Sequence, residues 1–109
     1  MATVIPIEDL RRSPRAALFE GGDRIPVSSF ITEYDRGHGP DLHFHPYPEL
    51  VIVQSGIARF TAGEEQIEVP QGNVVVVPAE TAHGFKSVSD DKLRVVSVHP
   101  SPTVIQTDL

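Results

Sequence analysis

The chain has 109 residues, 39% of them hydrophobic and 22% charged, with a net charge of −6 and no cysteine. That length predicts one domain (residues 1–109) with a real but modest apolar core, and the acidic balance argues against nucleic-acid binding, which depends on a basic patch. Without thiols there are no disulfides and no Cys-ligated zinc or iron–sulfur cluster; no run of about 18 apolar residues is present, and Met1 to Asp9 lack the basic-then-apolar pattern of a secretory signal, so a cytoplasmic protein away from membranes is expected.

Along the chain, turn residues recur at close spacing between short β-prone runs, which predicts an all-β sandwich or barrel. Residues 8–20 open on Glu8, Asp9 and Leu10 and form the one helix-compatible stretch, but Pro14 interrupts it, so at most a turn is expected. The basic cluster Arg11, Arg12 and Arg15 in that stretch reads as a solvated terminal segment. Ile25 to Tyr34 is rich in β-branched and aromatic residues and predicts a strand. A Gly- and Pro-rich loop, Arg36 to Pro40, precedes a short strand from Leu42 to His45. Pro46 and Pro48 then bracket Tyr47 and interrupt pairing.

Glu49 to Gln54 predicts a strong strand ending at Ser55-Gly56. Ile57 to Thr61 follows, then a hairpin turn at Ala62 to Glu65, and Gln66 to Val69 alternates polar and apolar as a half-exposed strand does. After the turn Pro70 to Asn73, the unbroken valines Val74 to Val77 predict a strand buried on both faces. His83 to Val88 and Leu93 to His99 complete the set around the turn Ser89 to Lys92, and Pro100 to Leu109 reads as an extended tail.

The chemistry concentrates in four residues. His43 and His45 are two apart, so on a strand both imidazoles project from the same face, with Cα atoms about 6.5–7 Å apart. Glu49 opens the next strand and can close a third corner. His83 arrives from a different strand, which a sandwich topology can bring close. Imidazole and carboxylate ligands favour iron, manganese, nickel, cobalt, copper or zinc over calcium and magnesium. Four such ligands leave one or two positions open on a five- or six-coordinate ion, the arrangement of a site that meets a substrate.

The remaining candidates read blandly. His38, between two glycines, is expected to be an exposed loop histidine, and His99, before Pro100, a structural one. Phe44, Tyr47, Phe60 and Phe85 read as core, although Phe85 shares strand parity with His83 and is a candidate cavity wall. Arg59 and Gln54 are expected to face outward. No serine sits in a recognisable triad, so covalent catalysis is not expected.

Two stretches carry a resemblance. Gly37-x5-His43-Phe44-His45-x3-Glu49-x6-Gly56 and Gly72-x5-Pro78-x4-His83 resemble the two conserved motifs of the cupin superfamily. The second departs at Glu80, where the family usually has glycine, and at Ser87, where it often has asparagine. The resemblance implies a jelly-roll β-barrel, one divalent transition metal held at its centre by His43, His45, Glu49 and His83, and a homodimer. It also implies a small-molecule ligand or substrate. Dioxygenases, isomerases and decarboxylases all occur among cupins, so the enzymatic expectation is a metal-dependent oxygenase or isomerase. The alternative is a binding or sensing module, since small cupins resemble the ligand-binding halves of some transcription regulators. No helix-turn-helix follows here, so no direct DNA role is expected.

Overall fold

In the computed structural model, which describes residues 1–109, two antiparallel sheets face each other. A short 3₁₀ turn, Ile7–Leu10, leads into β1 (Arg11–Ser13), β2 (Ala16–Glu20), β3 (Ser28–Tyr34), β4 (His43–Phe44), β5 (Glu49–Ser55), β6 (Ile57–Ala62), β7 (Glu65–Pro70), β8 (Asn73–Val77), β9 (His83–Ser87), β10 (Leu93–His99) and β11 (Thr107–Asp108). One sheet has the order β1-β2-β3-β10-β5-β8 and the other β11-β4-β9-β6-β7. This is the expected jelly roll, with the two sheets stacked rather than closed into a continuous barrel. No helix is long and apolar enough to cross a membrane.

Period-two alternation builds the interior. On β5, Glu49, Val51 and Val53 point inward while Leu50 and Ile52 line the outer face. On β10 the inward set is Leu93, Val95, Ser97 and His99. Phe60 on β6 stacks on Phe85 of β9 with centroids 4.8 Å apart, and these rings fill the space between the sheets together with the valines and Leu93. The inward rows are thus apolar at one end. At the other they carry Glu49, Ser97 and His99, and there the chemistry collects.

Three expectations need correction. Residues 8–20 contain a β-hairpin rather than a turn alone: β1 and β2 pair around Pro14-Arg15. Proline suits the bend, and β2 continues the sheet along β3. The predicted strand at Ile25 begins only at Ser28, because Gly21 donates to the Val27 carbonyl and folds residues 21–27 into a tight loop. The valine run is not buried on both faces. β8 is an edge strand, with Val74 56% and Val76 69% exposed and only Val77 buried. Valine content reports a preference for extended backbone, not the number of layers covering it.

Two backbone positions frame the site. Gly39 has φ +154°, and a Cβ there would lie 2.1 Å from the Phe85 carbonyl oxygen. Its absence lets the loop lie on β9, where Phe85 N–H donates to the Pro40 carbonyl at 3.2 Å. Glu80, which stands where the resembling family has glycine, adopts φ +60°. The turn is kept despite the substitution, and Glu80 N–H donates to the His45 carbonyl at 2.7 Å. An unbranched side chain tolerates this region at a cost of about 1 kcal/mol, whereas a β-branched one does not. Glu80→Gly is therefore expected to leave the melting temperature within about 3 °C of the parent, since relieved strain offsets the added freedom of the unfolded chain. Glu80→Val should lower it by about 5 °C or more. Thermal melts of the two variants check this.

Candidate metal centre

β4 and β9 pair with His43 directly opposite His83. His45 follows at the end of β4. Glu49 comes from the facing sheet, at the start of β5. The site is thus built across the sandwich, three imidazoles from one layer and a carboxylate from the other. One ligand-type atom from each of the four lies within 4.8 Å of the others, and all four side chains are buried. The residues singled out by spacing are those the fold brings together.

The hydrogen bonds determine what these groups offer. His43 Nδ1 lies 2.7 Å from the Asp41 carbonyl, His45 Nδ1 2.8 Å from the Ile105 carbonyl and His83 Nδ1 2.8 Å from the Thr81 carbonyl. A carbonyl only accepts, so each Nδ1 carries the proton and each neutral ring turns an Nε2 lone pair toward the cluster. Glu49 Oε1 sits 3.0 Å from both His45 Nε2 and His83 Nε2. These are acceptors meeting acceptors. His83 can donate to Glu49 only as an imidazolium. His45 Nε2, at the same distance but badly aligned, is buried with no hydrogen-bond partner at all. Buried polar groups without partners are uncommon and costly. A divalent cation among the four would satisfy every lone pair at once, so the donor set fits such an ion.

Burial pushes the Glu49 carboxyl up, but the adjoining His45, His83 and His99 rings outweigh it and hold the group at about 2. Burial also opposes charge on His83, yet the Glu49 contact and the Thr81 carbonyl raise its pKa. Burial lowers that of His43.

A fifth polar group, His99, belongs to this neighbourhood. Its Nε2 lies 3.8 Å from Glu49 Oε2 and 3.3 Å from Ser97 Oγ, and its Nδ1 lies 2.8 Å from the Tyr47 hydroxyl. Ile105 N–H donates to that hydroxyl at 3.2 Å. Having accepted from Ile105, the Tyr47 hydroxyl is placed to donate its own proton to His99 Nδ1, which suits a neutral ring with its N–H turned toward Ser97 and Glu49. Tyr47 also stacks on His45 at 5.1 Å. Sequence reasoning placed both His99 and Tyr47 outside the site. The signal available for His99 was parity: it shares the inward face of β10 with Val95 and Ser97. The Tyr47 contact could not be read from spacing, since it lies in the Pro-flanked break.

Burial holds His99 well below the usual imidazole range, at about 4. A folded state that binds fewer protons than the unfolded chain loses stability on acidification. The loss from His99 begins near the ordinary histidine value of 6.5 and is complete below about 4. The metal-free protein should be about 2 kcal/mol less stable at pH 5 than at pH 7 from this group. Glu49 adds a further loss between 4.5 and about 2, and His83, with its raised pKa, acts in the opposite sense, its contribution being lost as pH rises above the ordinary histidine value of 6.5. Urea denaturation at the two pH values checks this, and His99→Gln should flatten the slope.

Beside the cluster lies a cavity of about 190 Å³. His43, Glu49 and His99 reach it. Phe30, Tyr34, Pro40, Phe85 and Val95 form apolar walls, with Thr32, Ser97 and Gln106 as polar points. Phe85 thus takes the wall position its parity suggested. His38 is exposed on its loop, Arg59 faces outward and pairs with Glu68 at 2.9 Å, and Gln54 is exposed. Ser87 is buried, with its hydroxyl directed to the Ser89 carbonyl at 3.5 Å rather than to a member of the cluster.

Residues 30–99 match the family model of the cupin domain. A stretch of 58 residues is 45% identical to an uncharacterized protein of Streptomyces coelicolor and covers 53% of this chain and 54% of that one, so the match spans about half of that relative. The oxalate decarboxylase of Bacillus subtilis, which has Mn(II) centres, superposes with a TM-score of 0.80 at 19% identity, over 90% of this chain and 29% of its own. The oxalate decarboxylase of Lactobacillus farciminis, in a formate complex, superposes with a TM-score of 0.80 at 20% identity, over 94% of this chain and 34% of its own. At such identities the likeness to these structures is one of fold, and the chain spans about a third of their length.

Proposed function

The chain belongs to the cupin family, and from that premise we propose that it binds one divalent first-row transition metal through His43, His45, Glu49 and His83 and presents it to a small molecule in the adjoining cavity, as a metal-dependent oxygenase or isomerase. The carrying observation is the convergence of acceptors without donors, above all the partnerless Nε2 of buried His45. Such an ion, when bound, supplies Lewis acidity and, where it is iron or manganese, access to redox chemistry with dioxygen. The protein's own part is to fix three imidazole tautomers through backbone carbonyls and to hold Glu49 as a carboxylate. It also sets apolar walls beside the site, with the Thr32 and Ser97 hydroxyls available to orient polar atoms.

Elemental analysis of the purified protein, before and after anaerobic loading with Fe(II) or Mn(II), tests the site. One equivalent per chain is expected, and none under either condition would defeat the proposal. Oxygen consumption and product analysis with diketones, catechols and thiols then test the reaction. The alternative, a sensing module, is favoured if a ligand binds tightly to the loaded protein and is recovered unchanged.

The homodimer has structural support on the outer face of the six-stranded sheet. The pairing register lines up Val76, Leu50 and Val98 in one row and Val74, Ile52, Val96 and Ile31 in the next. An apolar surface on consecutive strands, ending at the free edge of β8, suits an isologous contact with a second copy. Sedimentation equilibrium should give a dimer, and Val74→Lys combined with Val76→Lys should give a monomer that retains its fold.

A further inference from the structure

The cavity carries an electrostatic specification that the cluster alone does not. Its lining includes no lysine and no arginine. Lys86, on the strand that supplies Phe85, turns its Nζ to the Asp41 carboxylate at 2.7 Å, and Lys92 and Arg94 pair with Glu33 at 3.5 and 3.6 Å. Both ring nitrogens of His99 are already partnered, Nδ1 by the Tyr47 hydroxyl and Nε2 by Ser97 Oγ, so the ring offers a ligand no free cationic donor. The charges that a buried ligand would meet are therefore Glu49 and whatever ion the four residues hold.

Resting on the metal reading above, we propose that this site takes a singly charged, bidentate oxygen ligand with an apolar body, such as the enolate of a 1,3-dicarbonyl, and discriminates against dicarboxylates. The charges decide it. A divalent ion carries +2, Glu49 carries −1, and His43, His45 and His83 bind as neutral rings because their Nδ1 protons are committed to carbonyls. The net charge of +1 is cancelled by a monoanion. A dianion would leave one uncompensated negative charge beside Glu49 with no lysine or arginine in the lining to pair it, and a partly buried charge without a partner is unfavourable. The walls match the body of the ligand: Phe30, Tyr34 and Phe85 present rings, with Tyr34 and Phe85 edge to face at 5.7 Å. A cavity of about 190 Å³ holds roughly six to ten heavy atoms at ~20–30 Å³ each. The chelating head would meet the ion, and the Thr32 and Ser97 hydroxyls are the polar donors in the adjoining wall.

The test uses full-length protein loaded with Co(II), whose visible spectrum reports ligand exchange. Elemental analysis first establishes one metal per chain. Acetylacetone and oxalate are then titrated by calorimetry and absorbance, and each affinity is divided by that ligand's affinity for free Co(II) at the same pH. The expected result is a ratio at least tenfold in favour of acetylacetone in the parent, and a tenfold or greater shift toward oxalate in Thr32→Lys, which places a cation in the cavity wall. Equal or preferred binding of oxalate by the parent with metal bound overturns the inference and leaves the metal reading standing. Failure to load any metal, visible before a ligand is added, overturns both. If Thr32→Lys does not fold, the parent ratio alone decides.

Discussion

Removing the metal from the loaded protein with a chelator should lower its melting temperature by about 10–30 °C, and His43→Ala combined with His83→Ala should abolish that difference. The size follows from linkage. A ligand present at 100 to 1,000 times its dissociation constant stabilises the folded state by roughly 2.7–4 kcal/mol, and in a domain of this size each kcal/mol is worth roughly 4–8 °C. The metal-free state also starts from a disadvantage, because His45 Nε2 is buried without a donor and faces a carboxylate oxygen 3.0 Å away. The double substitution removes two of the three converging lone pairs, leaving His45 and Glu49, too few to close a site. Differential scanning calorimetry with and without metal checks both halves. A variant that still gained several degrees from metal would show that other groups hold the ion.

How much of this was legible beforehand depends on the kind of information each residue carries. His43, His45 and Glu49 could be read because their relations are local, two residues apart on one strand and the first residue of the next, whereas His83 was found through its place in the second motif, and only the structure sets it opposite His43. The valine run was misread because composition does not say which strand ends a sheet, and that depends on the order in which distant strands pair. His99 and Tyr47 were missed for a related reason. Each looks ordinary in its own segment, and their hydrogen bond joins residues 52 apart. The departure at Glu80 was visible, but its consequence was not: the turn keeps its left-handed conformation, so the substitution changes strain and leaves the geometry of the site alone.

The tail is where sequence and structure part furthest, and a second large effect is expected there. Residues 100–109 read as an extended segment without chemistry, yet their backbone supports the centre. The Ile105 carbonyl accepts from His45 Nδ1 at 2.8 Å, Ile105 N–H fixes the Tyr47 hydroxyl, and β11 pairs with β4 so that Asp108 lies opposite His43. Deleting residues 105–109 would free the His45 ring to change tautomer and orientation, and would leave β4, only two residues long, paired on one side alone. Groups that orient a metal-bound imidazole in this way typically contribute 10–100-fold to affinity. The truncated protein should therefore bind metal about 10–100-fold more weakly in competition with a chromophoric chelator, while its core, built from the six strands β5 to β10, still unfolds cooperatively. Gln106→Ala removes a side chain from the cavity but keeps every one of those backbone contacts, so it should bind metal as the parent does. Equal affinities for the truncated and full-length proteins would mean that His45 is held without the tail, and that the carbonyl behind it is incidental.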